Sequence, residues 1–263
     1  MTLKLSFTDE VASQKSTVLL YGDNGSGKTT FAATWPNPVF LVPSLSLNEM
    51  KSLVRHKFPI VSFDSLKELK EQVNELGKAI LKGDIRCDTI VVDNLTAIQM
   101  ALEEELKRTG NKDKLGWDDW GKFLSVFKNL LESLHKLPPH IVWITHQRII
   151  KVDDTNSVGA FTLVGKSKEL IPGFADMILH ATVTDMHAAG LKYRMYLKGH
   201  DIWACRIRGD KEKVMKFPAY IEDPCYDALA VLMGWPSCAE VEGTPAPEVD
   251  EAAVAAAEAE PKR

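Results

Sequence analysis

One stretch, Ser16 to Ala32 (STVLLYGDNGSGKTTFA), limits the folds open to this chain more than any other. Thr17 to Tyr21 is a short apolar, β-branched run, the composition of a buried parallel strand. It leads straight into Gly22, Asp23, Asn24, Gly25, Ser26, Gly27, Lys28 and Thr29, which satisfy G-x-x-x-x-G-K-[ST] at every required position. A helical stretch, Thr29 to Trp35, follows. The order has a physical cause. Glycines let the backbone curl so that successive N–H groups face a phosphate, and the next helix presents its positive end. Gly22 to Thr30 are therefore expected to hold a nucleoside triphosphate. Lys28 would reach the β- and γ-phosphates, and the Thr29 hydroxyl would ligate Mg²⁺. The competing reading is a chance Gly-rich turn, and at ordinary glycine usage a random match in a chain of this length arises about one time in a hundred.

At 263 residues the chain has room for one large α/β domain and a tail, or for two small domains. An apolar content of 45% with 26% charged residues is ordinary for a soluble globular protein. No apolar run is long enough for a transmembrane helix, so no membrane partner is expected. The start, MTLKLSFTDEVAS, lacks the apolar core of a signal peptide. Cys87, Cys205, Cys225 and Cys238 are widely spaced with no CxxC pair, which fits reduced thiols and a cytoplasmic location. The net charge of −4 is uneven: residues from Ala239 onward carry −5, leaving +1 for the rest. A near-neutral body neither demands nor forbids a nucleic-acid partner.

Along the chain, Leu3, Leu5 and Phe7 alternate as in an edge strand, and Val39 to Val42 and Pro59 to Phe63 read as strands. Asp64-Ser65 supplies cap chemistry for a helix with Leu66, Leu69, Val73, Leu76, Ile80 and Leu81 at helical spacing. Cys87 to Asp93 is a hydrophobic strand ending in an acid. After a phosphate loop, such a carboxylate on a strand beside the loop's own strand is expected to hold the Mg²⁺ shell. The rival is an Asp cap for the helix Leu95 to Arg108. Thr109 to Trp120 sets Lys107, Arg108, Lys112 and Lys114 near Trp117 and Trp120, either a strand-binding surface or a connection whose tryptophans begin the next helix's core face. That helix, Trp120 to Lys136, ends at Pro138-Pro139.

His140 to Gln147 reads as a buried strand with Thr145, His146 and Gln147 at its carboxyl end, where α/β sheets bind ligands. These three are expected to sense a γ-phosphate or orient water. Arg148 to Lys168 reads as a polar ligand-coupled loop or a plain hairpin, and Leu170 to Ala175 as a helical turn. Strands at Ile178 to Thr184, Tyr193 to Leu197 and Ile202 to Ile207 follow, with turns at Ala189-Gly190 and Gly199 to Asp201, then a final helix, Tyr226 to Met233. After Pro236 the chain is poor in large apolar residues and is not expected to fold alone. The expected division is a core over residues 1–236 and a disordered acidic tail over 237–263.

YGDNGSGKTTFAATWPNPVFL, TIVVDNLT and VWITHQR together resemble the RecA-type ATPase core, most nearly a phage group of short RecA-like proteins that includes single-strand annealing recombinases. The resemblance covers roughly Ser16 to Arg208. It implies an α/β fold, a RecA-like P-loop NTPase core whose mostly parallel central sheet is flanked by helices and carries an antiparallel C-terminal extension. It further implies ATP and Mg²⁺ as cofactors, with Gln147 reporting the γ-phosphate. Arg148, Lys151, Lys166 and Lys168 would face single-stranded DNA, and Arg206, Arg208, Lys211 or Lys213 would reach a neighbouring subunit's nucleotide in a filament or ring. A single-strand-binding protein is a further implied partner.

One departure matters. RecA-type enzymes place a water-polarising glutamate at the end of the strand after the first helix. Here that strand ends Val42-Pro43-Ser44-Leu45, and the first acid is Glu49. Either Glu49 folds back as the catalytic base beside Lys28 and Gln147, or turnover is slow. A DNA-acting ATPase, a ring-forming motor or helicase, and a nucleotide-gated binding module without significant hydrolysis all remain open on these residues.

Overall fold

The computed structural model describes residues 15–153, 157–185 and 192–244. At its centre lies β1 (Thr17–Gly22), buried along its whole length. The other strands are β2 (Pro38–Pro43), β3 (Ile60–Phe63), β4 (Thr89–Val92), β5 (His140–Lys151), β6 (Ser157–Phe161), β7 (Met177–Asp185), β8 (Lys192–Tyr196), β9 (Arg206–Ile207) and β10 (Tyr220–Glu222). Their order is β10-β8-β7-β1-β5-β4-β2-β3, with β6 added to β5 and β9 to β7. The run from β7 to β3 is parallel, and β8 is antiparallel to both β7 and β10. This is a mostly parallel sheet flanked by helices, of the α/β P-loop NTPase kind.

One expectation is corrected. The Asp93 strand β4 does not lie beside β1, because β5 is paired between them. The two halves of the site therefore face each other across a third strand, and that strand's carboxyl end carries His146 and Gln147.

The helices are α1 (Lys28–Ala32), α2 (Leu66–Leu81), α3 (Leu95–Gly110), α4 (Trp117–His135), α5 (Ser167–Phe174), α6 (Lys211–Met215), α7 (Tyr226–Met233) and α8 (Cys238–Gly243), with a 3₁₀ helix at Ser44–Leu53. Strand alternation splits the core into two layers. Leu19 and Tyr21 of β1 face the layer closed by α2, α3, α4 and α5, whereas Val18 and Leu20 face the layer under α1 and α7. Ser65 caps α2, accepting from the Glu68 N–H at 3.2 Å, as its sequence position suggests. The cap of α3 is Asn94, which accepts from the Ala97 N–H at 2.8 Å, so Asp93 is not used as a cap.

Other elements depart from the sequence pattern. The helix expected from Trp120 begins at Trp117, whose ring is 94% exposed, so that tryptophan does not start the core face. Arg148 to Lys168 is no single loop. β5 runs on to Lys151 and pairs with β6 as a hairpin, and α5 starts at Ser167. Only Arg206–Ile207 of the Ile202 to Ile207 run is a strand, because the chain first turns back through a bridge between His200 and Trp203. Trp203 fills the notch left by Gly159 of β6, where an added Cβ would come within 2.1 Å of its ring. Ser237 and Glu240 close a capping box on α8, so ordered chain extends past Pro236. The expected strand at Leu3, Leu5 and Phe7, the Ala189-Gly190 turn and tail residues 245–263 lie outside the described residues. Among those described, no helix is long and apolar enough to cross a membrane.

The second layer is locked by aromatic packing. Trp35, 1% exposed, has ring neighbours in Tyr226 at 5.0 Å, His140 at 5.5 Å, Trp235 at 6.0 Å and Phe31 at 6.2 Å. Thr34 Oγ1 accepts from the Tyr226 N–H at 2.8 Å and ties α7 to the end of the α1 segment. Trp35→Ala should lower stability by about 3–5 kcal/mol, because α7 cannot collapse into so large a cavity. Urea unfolding checks this, and a midpoint equal to that of the unchanged protein would remove Trp35 as the anchor.

Candidate functional site

The loop between β1 and α1 takes its shape from three glycines. Gly25 and Gly27 have φ of +77° and +83°, the left-handed region that favours glycine. Gly22 needs its bare Cα for a different reason: a Cβ there would lie 2.2 Å from the Ala181 carbonyl of β7. β1 thus delivers the loop only because its last residue has no side chain. Tyr193 of β8 packs against Gly27, where an added Cβ would stand 2.7 Å from its ring. Helix α1 has five residues, so the loop's N–H groups and Lys28 contribute more to anion binding than a helix dipole does.

Lys28 is 6% exposed. Its Nζ donates to the Gly22 carbonyl at 3.0 Å, to the Asp23 carbonyl at 2.6 Å and to Ser26 Oγ at 3.4 Å. Burial pulls the ammonium below the usual lysine range, opposed by Asp93, Asp23 and Glu49. Asn24 and Thr30 are exposed, at the loop tip and on the first turn of α1.

The expected metal pair meets directly. Thr29 Oγ1 donates to Asp93 Oδ2 at 2.7 Å across the carboxyl edge of the sheet. Asp93 is 1% exposed, and burial pushes its carboxyl up to about 6. Glu49 adds to the rise, while the Thr29 hydrogen bond and Lys28 work against it. A hydroxyl and a carboxylate from two elements, beside a lysine, form a hard oxygen donor set suited to Mg²⁺.

Glu49 does fold back. The 3₁₀ helix after β2 brings its Oε2 within 3.3 Å of Asn94 Nδ2, and the same amide nitrogen lies 3.3 Å from His146 Nε2. An amide N–H facing Nε2 makes that nitrogen an acceptor, so the His146 proton sits on Nδ1. His146 Nδ1 is buried and has no partner among the described residues. Burial, with help from Lys28, pulls the imidazole below its usual range, opposed by Glu49 and Asp23. Glu49, Asn94 and His146 all line a cavity of about 1100 Å³ that extends to Lys107, Arg108 and Lys112.

Gln147 turns the other way. Its Oε1 accepts from His180 Nε2 at 2.7 Å, on the β7 side of β1. Thr145 is occupied by Thr96 Oγ1, 2.9 Å away, and by the Thr162 carbonyl. Of the three polar residues ending this strand, His146 is the one joined to Asn94, and through it to Glu49. The sequence reading passed over Asn94 and His180. The signal for Asn94 was its cap-type position before α3; a lone histidine inside an apolar strand gave none for His180.

The four basic residues expected to face DNA divide into two places. Arg148 and Lys151 lie on the β5 arm of the hairpin, beside the exposed Ile149, Val152 and Val158. Lys166 and Lys168 are exposed at the start of α5. Arg206 and Arg208 are engaged within the chain, donating to the carbonyls of Pro172, Gly173 and Ala175 at the end of α5. Lys213 Nζ donates to the Met233 carbonyl at 2.6 Å, and Lys211 is exposed.

The buried carboxyl gives a pH prediction for the protein without nucleotide or metal. Its folded value, about 6, is above its ordinary value of 3.8, so its stabilising protonation is complete below 3.8 and lost as pH rises through 6. Asp93→Asn should therefore gain stability over the unchanged protein between those values, by an amount on the order of 1–3 kcal/mol. Urea unfolding at both ends of that range checks it; equal stabilities throughout would show that Asp93 is not desolvated.

A family model described as an AAA domain matches residues 14–208, a span that holds the loop, Glu49, Asp93, the end of β5 and the β5–β6 hairpin. Comparison with the curated proteins gives no match. The matched span takes in well over half of the chain and every element of the site, and the chain belongs to the AAA domain family, with the P-loop NTPase fold that this implies.

Proposed function

We propose that the protein is a Mg²⁺-dependent ATPase of the RecA-like kind that acts on single-stranded DNA in phage recombination or annealing, and that it works as a homo-oligomer. The observation carrying the ATPase reading is the Thr29–Asp93 contact at 2.7 Å beside a buried Lys28. Thr29 and Asp93 would hold Mg²⁺, which supplies charge neutralisation on the β- and γ-phosphates when bound. Lys28 now rests on neutral oxygens of its own loop, and phosphate oxygens are stronger acceptors for an ammonium. Glu49 is the general base, oriented through Oε2 by Asn94, and His146 Nδ1–H is a donor for charge at the γ end.

Topology supports a direction for the nucleotide. Glu49, Asp93 and His146 all belong to the β2, β4 and β5 side of β1, which supports a γ-phosphate bound on that side. The nucleoside then leaves toward β7 and β8, where Tyr193 presents a ring against Gly27.

The test is a pair of substitutions read in binding and turnover. Lys28→Ala should abolish tight ATP binding, and Glu49→Gln should bind ATP normally while hydrolysing it roughly 10²–10⁴-fold more slowly. Wild-type affinity in the first variant would sink nucleotide binding at this loop; wild-type turnover in the second would clear Glu49 of its role.

The DNA reading is supported by the exposed apolar and basic hairpin, with Ile149 60% and Val152 63% exposed beside Lys151. Binding should be salt-sensitive, since phosphate contacts release counterions. Neutralising Arg148, Lys151, Lys166 and Lys168 together should weaken single-strand binding and flatten its salt slope. Affinity and slope that both survive would place the DNA surface elsewhere.

A further inference from the structure

The end of β5 is where one set of strand partners gives way to another. On its β4 side, pairing stops with Val92 opposite Trp143, and pairing with β6 begins only at Gln147 opposite Phe161. Ile144, Thr145 and His146 lie in the gap. Three threonines from three segments meet there: Thr96 in the first turn of α3, Thr145 in β5, and Thr162 just after β6. We propose that Thr162, backed by Thr96, is a positioning residue for His146: the threonine knot fixes the backbone at this gap, and with it the reach of the imidazole to Asn94. The inference rests on the ATPase reading given above.

The peptide groups of an extended strand point alternately to its two edges. The His140 N–H donates to the Asp88 carbonyl at 2.9 Å, at the foot of β4. The carbonyl of His146, six residues on, therefore points to the same edge, past the last β4 partner. Thr162 takes it up. Its N–H donates to the His146 carbonyl at 2.7 Å, and its Oγ1 donates to the Gln147 carbonyl at 3.0 Å. One residue thus holds two consecutive carbonyls. On the other edge Gly22 of β1 stands opposite His146, so Thr162 completes the grip on a backbone that β1 alone would hold from one side.

Proton counting shows what holds Thr162 in turn. The Thr96 and Thr145 hydroxyls have one proton each and three contacts to share. Their oxygens are 2.9 Å apart, Thr96 Oγ1 is 3.0 Å from the Thr162 carbonyl, and Thr145 Oγ1 is 3.3 Å from that carbonyl. The two shorter contacts are satisfied together when Thr145 donates to Thr96 and Thr96 donates to Thr162. Thr145 is fully buried, so its hydroxyl has no water to turn to. The relay ends on the residue that grips His146. Asn94 begins the same turn of α3, with its Oδ1 committed to the Ala97 N–H at 2.8 Å and its Nδ2 facing His146 Nε2 at 3.3 Å. Both partners of the Asn94–His146 contact are therefore located from one turn of helix.

A second attachment of the same return arm does a different job. Gln99, fully buried, accepts from the Val164 N–H at 2.8 Å through Oε1 and donates to Ser167 Oγ at 2.6 Å through Nε2. Those bonds fix the path from Leu163 into α5, downstream of Thr162. The grip on the end of β5 belongs to the threonines.

The test is a double-mutant cycle between Thr162 and His146, read in ATP turnover. Thr162→Val keeps the backbone N–H and the branched shape but removes the hydroxyl. Its kcat should fall on the order of tenfold, the scale of one lost hydrogen bond, with unchanged affinity for a non-hydrolysable ATP analogue. Thr162→Ser, which keeps the hydroxyl, should restore turnover. In a His146→Ala background Thr162→Val should cost nothing further, because a positioning residue acts through the group it positions. A folded Thr162→Val with unchanged turnover overturns the proposal, as does an equal fall without His146 or a serine variant no better than the valine one. If Thr162→Val does not fold, Thr96→Val takes its place. Thr145 can then donate directly to the Thr162 carbonyl, so the fall should be only about threefold and again absent without His146; unchanged turnover overturns the proposal. Failure of the unchanged protein to hydrolyse ATP would instead strike the ATPase reading. The His146 imidazole NMR signal, identified by its loss in His146→Ala, then decides: it should shift in Thr162→Val, and an unmoved signal overturns the proposal.

Discussion

Both edges of β1 are paired and both of its faces are buried, and every part of the site is located by that one strand. Pairing with β5 sets Gly22 opposite His146, and pairing with β7 sets Tyr21 opposite His180 and Gly22 opposite Ala181. Side-chain alternation makes such a register unforgiving, since a slip of one residue would send Tyr21 and Leu20 into each other's layers. The bare Cα of Gly22 completes the constraint, because any larger residue would push β7 away from the loop.

The polar groups at the end of this strand are held in costly surroundings. Lys28 and Asp93 are both nearly sealed from water, and burial biases each toward its neutral form. Groups kept so far from their preferred solvation are better placed for a ligand of high charge than for stability of the protein by itself. The local hydrogen bonds offset part of the penalty. Three loop oxygens surround the ammonium and one hydroxyl meets the carboxylate, so neither charge is left without a partner.

Much of this was legible in the residues because it depends on local chemistry. The glycine spacing, the apolar run before it, the Ser65 cap and the acid after Val92 each follow from rules of short range. What was not legible depends on how distant strands are ordered. No spacing in the sequence says that β5 lies between β1 and β4, and that insertion is what brings His146 rather than Gln147 to Glu49 and Asn94. Trp117 misled for a related reason: it begins α4 at helical spacing from Trp120, yet the packing of α3 against α4 leaves its ring in water. Glu49 was readable only as a possibility, because it stands several residues beyond the end of β2 and reaches the site through a 3₁₀ helix.

β5 differs from its neighbours in length. It has twelve residues where β1 has six and β4 has four, so its last part leaves the sheet and continues as the stem of the β5–β6 hairpin. The same unbroken backbone passes from the interior of the sheet, through His146 and Gln147, to Lys151. Gln147 and Lys151 are separated by about 13 Å at the usual rise of an extended chain. A strand held on both sides along one half and by β6 alone along the other behaves as a cantilever. A tilt of about ten degrees at the held end would displace the tip by roughly 2 Å over that distance. Whatever touches the hairpin is therefore mechanically continuous with whatever touches the end of the sheet.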